Sequence, residues 1–454
     1  MALRDDYSGP FDPDLTLADF SRSFLVRLAY ENLLIGHMLD RCGQPLVAME
    51  QGTEGFVRSG IEEWMGASPI YSKRMQRMMN FEGDDVGTVF KNLQLEVGAP
   101  QQFMDFQFRL DSPDYGEFWL CHCGALLDVE KTGNQETVKL MCHDIEDPTF
   151  DATAAATNPR MVMRPIHRPP RIDGEVLDVS GNGNGRWPHC RWAVYVGEEN
   201  RPYEQHPNLE IVGRSKLARI EVVLPEKDAE AGGWPDYSGP FDPGCQLQDF
   251  SHRALVGLNQ EFCVQTLLLM HSYMLCNANA LGEEKAQELA RRMWIGHAMV
   301  GVERLQKYLG IAGDDIETVA KILQLHPHFH PRSYVDLRVA ITGPRTARLA
   351  IGDCPALQEE TDLTWFKQLG PEPHPAIEAL VQHVNPRARL RATNPESARL
   401  AWEIEIDPNA DPAAEPQEFK IAQLSGGLTF RFEERRLLRD ERSRPRSPRL
   451  RARG

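Results

Sequence analysis

No stretch of this sequence approaches the ~20 consecutive apolar residues that a membrane-crossing helix requires. The amino terminus, Met1-Ala2-Leu3-Arg4-Asp5-Asp6, also lacks the basic-then-apolar order of an export signal. The sequence therefore predicts a cytoplasmic protein without membrane contact. Positive charge is in short supply: 50 Lys and Arg stand against 66 Asp and Glu, a formal charge of −16. A nucleic-acid partner is excluded on that ground, since such surfaces need clustered cations. The exception is the Arg-crowded end, where residues 439–454 show no apolar periodicity and read as a flexible, solvated tail. Gly-x-Ser-x-Gly elbows, dinucleotide fingerprints and His-Glu-x-x-His helices are all missing. Gly181-Asn182-Gly183-Asn184-Gly185 has the glycines of a phosphate loop but no following Lys-Ser/Thr, and reads as a plain loop.

What is present is a repeat. Asp6-Tyr7-Ser8-Gly9-Pro10-Phe11-Asp12-Pro13 recurs unchanged from Asp236 to Pro243, an offset of 230 residues. The same offset pairs Glu31 with Glu261, Trp64 with Trp294, Gly83-Asp84-Asp85 with Gly313-Asp314-Asp315, and Leu93-Gln94-Leu95 with Leu323-Gln324-Leu325. After small gaps Cys123 meets Cys354, Asn158-Pro159-Arg160 meets Asn385-Pro386-Arg387, and Trp192 meets Trp402. A collinear match of this length predicts two tandem copies of one domain, 1–229 and 230–438, with the second packed on the first.

Within the first copy, Asp19 is placed to cap a helix whose apolar residues Phe24, Leu25, Leu28, Leu33 and Leu34 recur at helical spacing. More helix is expected around 61–79 and 86–95. The period then switches to alternation at 103–110, with a turn at Ser112-Pro113-Asp114 and a returning strand to Cys121. Helices follow near 135–143 and 150–156, and strands near 161–165, 190–195, 210–213 and 217–224. Helices first, then an antiparallel sheet with inserted helices, define an α+β class.

One segment gathers sulfur, imidazole and carboxylate: Cys121-His122-Cys123, then Cys142-His143-Asp144-Ile145-Glu146-Asp147, and later Cys190-Arg191-Trp192. Thiolate and imidazole suit zinc or iron, so Cys123, Cys142 and His143, supplemented by His122 and Cys190, form a candidate metal set. Asp144 or Glu146 would then carry the proton for a metal-bound hydroxide. Arg164 and His167 would hold an anionic group of a small organic substrate, and His37, on an apolar helix, could face the same place. Two other readings stay open: a metal-free thiol nucleophile, Cys123 or Cys142, activated by His122 or His143, and buried cysteines acting as small apolar residues. In the second copy Cys121-His122-Cys123 has become Gly352-Asp353-Cys354 and His167 meets Asn394, so that copy reads as degenerate. The run His326, His328 and His330 would share one face if extended and could also collect a metal.

The layout of N-terminal helices, strand pair, helices and second strand pair resembles the ligand-binding fold of 4-vinyl-reductase domains. The set Cys142, Asn158-Pro159-Arg160 and Cys190-Arg191-Trp192 is similar to a pattern in 2-amino-thiazoline-4-carboxylate hydrolase-like proteins. The resemblance implies either hydrolysis of a small molecule or, as in the related domains, binding of a lipid or cofactor without turnover. A homo-oligomer is compatible with both.

Overall fold

The computed structural model describes residues 3–170, 188–197 and 199–433. The Arg-rich tail and the Gly181–Gly185 stretch lie outside the described residues. The first half runs through α1 (Arg22–His37), α2 (Leu39–Met78), α3 (Val86–Leu93), strands β1 (Met104–Ser112) and β2 (Tyr115–Cys123), then α4 (Gly124–Glu130) and α5 (Gln135–Lys139). A π turn at Leu140–Ile145 leads into α6 (Glu146–Ala155), β3 (Met161–His167), β4 (Cys190–Val196), α7 (Pro207–Arg214) and α8 (Lys216–Arg219). The second half comprises α9 (His252–Leu281), α10 (Glu283–Leu309), α11 (Ile316–Leu325), β5 (Leu337–Gly343), β6 (Thr346–Ile351), α12 (Pro375–Val384), β7 (Ala388–Ala392), β8 (Leu400–Ile406) and α13 (Gln417–Ala422).

Local chemistry accounts for many boundaries. Ser21 and Ser251 cap α1 and α9 by accepting from the amides of Phe24 and Ala254, and Asp85 and Asp315 cap α3 and α11 in the same way. The cap of α1 is thus Ser21, and Asp19 instead closes a short 3₁₀ turn before it. Gly52 breaks α2 at φ 69°, and Gly282 separates α9 from α10 at φ 85°, a backbone region that glycine enters without steric penalty. The strands expected at 210–213 and 217–224 are not formed. Pro207 occupies the first turn of α7 with His206 as its cap, and Ser215 caps α8, so capping outweighs the short alternation of apolar residues.

Each half carries one four-stranded antiparallel sheet, with orders β1-β2-β4-β3 and β5-β6-β8-β7. The fold is therefore mixed helix and sheet. Trp192 lies opposite Phe118 across β4 and β2, Trp402 opposite Leu349 across β8 and β6, and both tryptophans are fully buried. Among the described residues no helix is long and apolar enough to cross a membrane.

The repeated residues join one half to the other. The Tyr7 hydroxyl donates to Gln324 Oε1, whose amide reaches the Asp12 carbonyl at 2.9 Å; reciprocally, the Tyr237 hydroxyl donates to Gln94 Oε1 at 2.8 Å, and Gln94 Nε2 reaches the Asp242 carbonyl at 2.9 Å. Arg74 pairs with Glu261 and Arg304 with Glu31, two buried ion pairs related by the same offset of 230. Each arginine also gathers carbonyls from the last helical turn of its own half and the residue after it, Ala218 and Ile220 for Arg74, and Gly427, Leu428 and Phe430 for Arg304. Those segments cross over. Glu359 accepts from the amides of Lys216 and Leu217, while Asp128 accepts from Ser425 and Gly426.

Candidate functional site

The crossing of the second half's terminal segment over α4 encloses a cavity of about 360 Å³ within the first half. Its walls come from α1 and α2, from the α3–β1 connection, from the hairpin, and from α4 to α6; Ile421, Leu424 and Ser425 of the second half complete it. That volume falls in the range of small-molecule sites. Most of the lining is apolar, including Phe56, Phe106, Met141, Ile145 and Phe150.

The polar lining is acidic. Asp40 accepts from Trp64 Nε1 at 3.3 Å through Oδ2, while its Oδ1 has no hydrogen-bond partner. Glu63 lies behind it, bonded to the lining residue Gln44 at 2.7 Å. Burial raises both acids, and the charge of Asp40 raises Glu63 further. Burial alone pushes Glu96 up to about 8 and leaves its Oε2 unpartnered. Glu146 also rises to about 8, through burial against the downward pull of Arg168, although it keeps some accessible surface because it lines the cavity. Among the described residues Arg41 is the only Arg or Lys in the lining; its Nε lies 3.3 Å from Asp128, and its Nη2 has no hydrogen-bond partner.

His37 lines this cavity. Its Nδ1 lies 3.2 Å from the Val97 carbonyl, and burial lowers its pKa to about 3, so the ring is neutral. The neutral ring donates from Nδ1, which leaves Nε2 as an acceptor without a partner. Glu146 and Cys190 are also in the wall. The other sequence candidates are not. Asp144 pairs with Lys139 at 3.0 Å, and exposed Arg164 pairs with Asp151 at 2.7 Å. His167 is buried at the end of β3 opposite Arg191.

The candidate metal set does not converge: among the described residues no three His, Cys, Asp or Glu side chains are placed to hold an ion. Backbone carbonyls take up the imidazoles instead, with His122 Nδ1 2.8 Å from the Phe103 carbonyl and His143 Nε2 2.9 Å from that of Pro169. Cys123 serves as the cap of α4, its sulfur accepting from the Leu126 amide. Cys123, Cys142 and Cys190 do lie close enough to influence one another, on the Glu146 side of the cavity. Burial and the Glu146 charge push the Cys123 thiol up to about 12, and the same causes put Cys142 well above its ordinary value. A thiol of that kind is thiolate in only about one molecule in ten thousand at pH 8. In the folded protein a maleimide at pH 8 should label Cys123 and Cys142 only as fast as the protein opens, and denaturant should bring labelling to minutes. Mass spectrometry of the modified peptides checks this, and rapid native labelling would restore the thiol-nucleophile reading.

The His326, His328 and His330 run is not an extended strand. A 3₁₀ turn covers Pro327–Phe329, and the imidazoles are buried and neutral, with His328 Nε2 2.7 Å from His297 Nδ1.

Asp40, Glu63 and Glu96 escaped sequence reasoning because no motif links them. The repeat does hold a signal, since the offset of 230 places Met270, Met293 and His326 at their positions, and Met274 at that of Gln44. Trp294, at the same offset from Trp64, is fully buried with its ring 4.4 Å from that of Trp365. Comparison of the chain with family models, curated proteins and solved structures finds no match.

Proposed function

We propose that this protein binds a small organic molecule in the cavity of its first half, and that the second half is a degenerate tandem copy that closes the cavity. The observation that carries this reading is a partly enclosed space walled by apolar side chains and by two acids, Asp40 and Glu96, that each keep one buried oxygen without a hydrogen-bond partner. Three features support duplication: the collinear repeat, the shared strand order, and the reciprocal ion pairs. The resemblance to ligand-binding domains points the same way. The acidic lining and the outward pairing of Arg164 speak against an anionic ligand.

A second reading is favoured by Glu146 alone. A carboxyl that lines the cavity and titrates near 8 is matched to general acid–base work close to neutral pH, so turnover of the bound molecule would use Glu146 as the proton carrier.

Filling the cavity tests the common element. Ala48 lines it from α2. Ala48→Phe should abolish binding of every hit from a fragment library screened by saturation-transfer NMR against the full chain, with the melting temperature little changed. Hits that persist in the variant would place the binding elsewhere.

A further inference from the structure

The acceptors around the cavity are in excess of the donors. His37, Gln44 and Glu96 are each no more than 6 % exposed, all three line the cavity, and His37 Nε2, Gln44 Oε1 and Glu96 Oε2 have no hydrogen-bond partner. Asp40 Oδ1 shares that condition. These groups meet at one end. Asp40 holds the Trp64 indole N–H, a Cβ at Gly98 would touch both the Trp64 ring and Glu96 Oε1, and His37 is bonded to the adjacent Val97 carbonyl. Charge is unbalanced in the same sense. Among the described residues the lining holds Asp40, Glu96, Asp128 and Glu146 against one cation, Arg41, whose Nε is 3.3 Å from Asp128 and whose Nη2 is the one unpartnered donor facing these acceptors, and Glu63 and Tyr71 behind them add no positive charge.

Resting on the ligand-binding reading above, we propose that the ligand is an organic cation, a protonated primary or secondary amine on an apolar body, with the ammonium held by Asp40, Glu96 and the His37 Nε2 acceptor. An ammonium has donors and no acceptor, which complements this set. An alcohol offers one donor, and a carboxylate offers none and is repelled. Trp64 flanks the same end, where an aromatic face attracts a cation, and Phe106 and Phe150 supply the apolar wall for the body. Glu96 keeps its proton at neutral pH because burial has removed water without supplying a positive charge; an ammonium supplies it, so binding releases a proton.

Three probes of one skeleton separate the possibilities: 2-phenylethylamine, 2-phenylethanol and phenylacetate, titrated by calorimetry into the full chain at pH 7 and pH 8. The amine should bind at least tenfold tighter than the alcohol and more tightly at pH 8 than at pH 7, and phenylacetate should not bind. Glu96→Gln and, separately, Asp40→Asn should reduce the amine's preference over the alcohol to threefold or less while the alcohol still binds measurably, which a merely unfolded variant would not do. Alcohol or phenylacetate binding as tight as the amine's would overturn the cation assignment and leave the cavity reading standing. Binding of none of the three overturns the assignment as well. The cavity reading itself fails only if the hits of the fragment screen survive Ala48→Phe.

Discussion

Arg304→Met is expected to lower folding stability by about 3–5 kcal/mol, because breaking a buried ion pair from one side strands the other charge. The Arg304 side chain is fully buried, and its Nε and Nη2 sit 2.6 and 2.9 Å from the two carboxylate oxygens of Glu31. Methionine fills much of the same volume but donates nothing, so Glu31 would lose its countercharge and the carbonyls of Gly427, Leu428 and Phe430 would lose a shared donor. The last group makes the effect regional. Those carbonyls belong to the segment that closes the cavity, so amide exchange over 417–430 should accelerate more than exchange in the first-half sheet. Urea midpoints measured beside hydrogen exchange provide the check. Adding Glu31→Met should recover a good part of the loss, since two apolar partners leave no stranded charge. A loss below about 1 kcal/mol for the single variant would mean that solvent reaches the pair, contrary to its burial.

The contribution of Glu96 to stability should also fall as pH rises from 5 to 8. The sign follows from the direction of the shift. Glu96 titrates near 8 in the folded protein and at its ordinary value of 4.5 when unfolded, so between those pH values the folded state holds a proton that the unfolded state has released. Its contribution is intact below about 4.5 and is lost progressively up to about 8, a total on the order of 3–5 kcal/mol for a group this buried. Glu146 acts in the same direction with a smaller weight, because it retains surface toward the cavity. Glu96→Gln should therefore remove this loss, so that the variant gains stability relative to the natural protein as pH rises and is the more stable of the two at pH 8. Urea midpoints of both proteins at pH 5, 6, 7 and 8 measure the effect as a difference, in which the opposing contribution of the buried neutral histidines His37, His326, His328 and His330 cancels, and a difference that does not move in the variant's favour as pH rises would refute the assignment of Glu96 as a buried neutral acid. That such an acid is retained at a stability cost is what a functional group would show.

The features legible in the sequence were the local and periodic ones. Ser21, Ser251, Asp85 and Asp315 cap within one helical turn, an interaction of chain neighbours, yet the sequence pointed to Asp19 in place of Ser21 because several capping residue types crowd the same turn. The hairpin of β1 and β2 followed from alternation across a short turn. The short elements at 207–219 were misread for a related reason: with so few residues, period 2 and period 3.6 are hard to distinguish, and Pro207 and Ser215 decided the outcome.

For the site, the cysteine and histidine segment was conspicuous in sequence and yet assembles no ligand set. Nearness along the chain says nothing about where a ring turns once a carbonyl such as that of Phe103 or Pro169 is within reach. Glu31 and Glu261 could be paired by offset, but that each would find an arginine of the opposite repeat required the crossing of the two halves. Asp40, Glu63 and Glu96 are ordinary acids until packing removes their water. The sequence by itself determined the repeat, the caps and the hairpin, because these rest on interactions between near neighbours. Only the tertiary structure decided the reciprocal closure, the cavity and its raised acids, because burial and charge balance are sums over residues from both halves that no local pattern records.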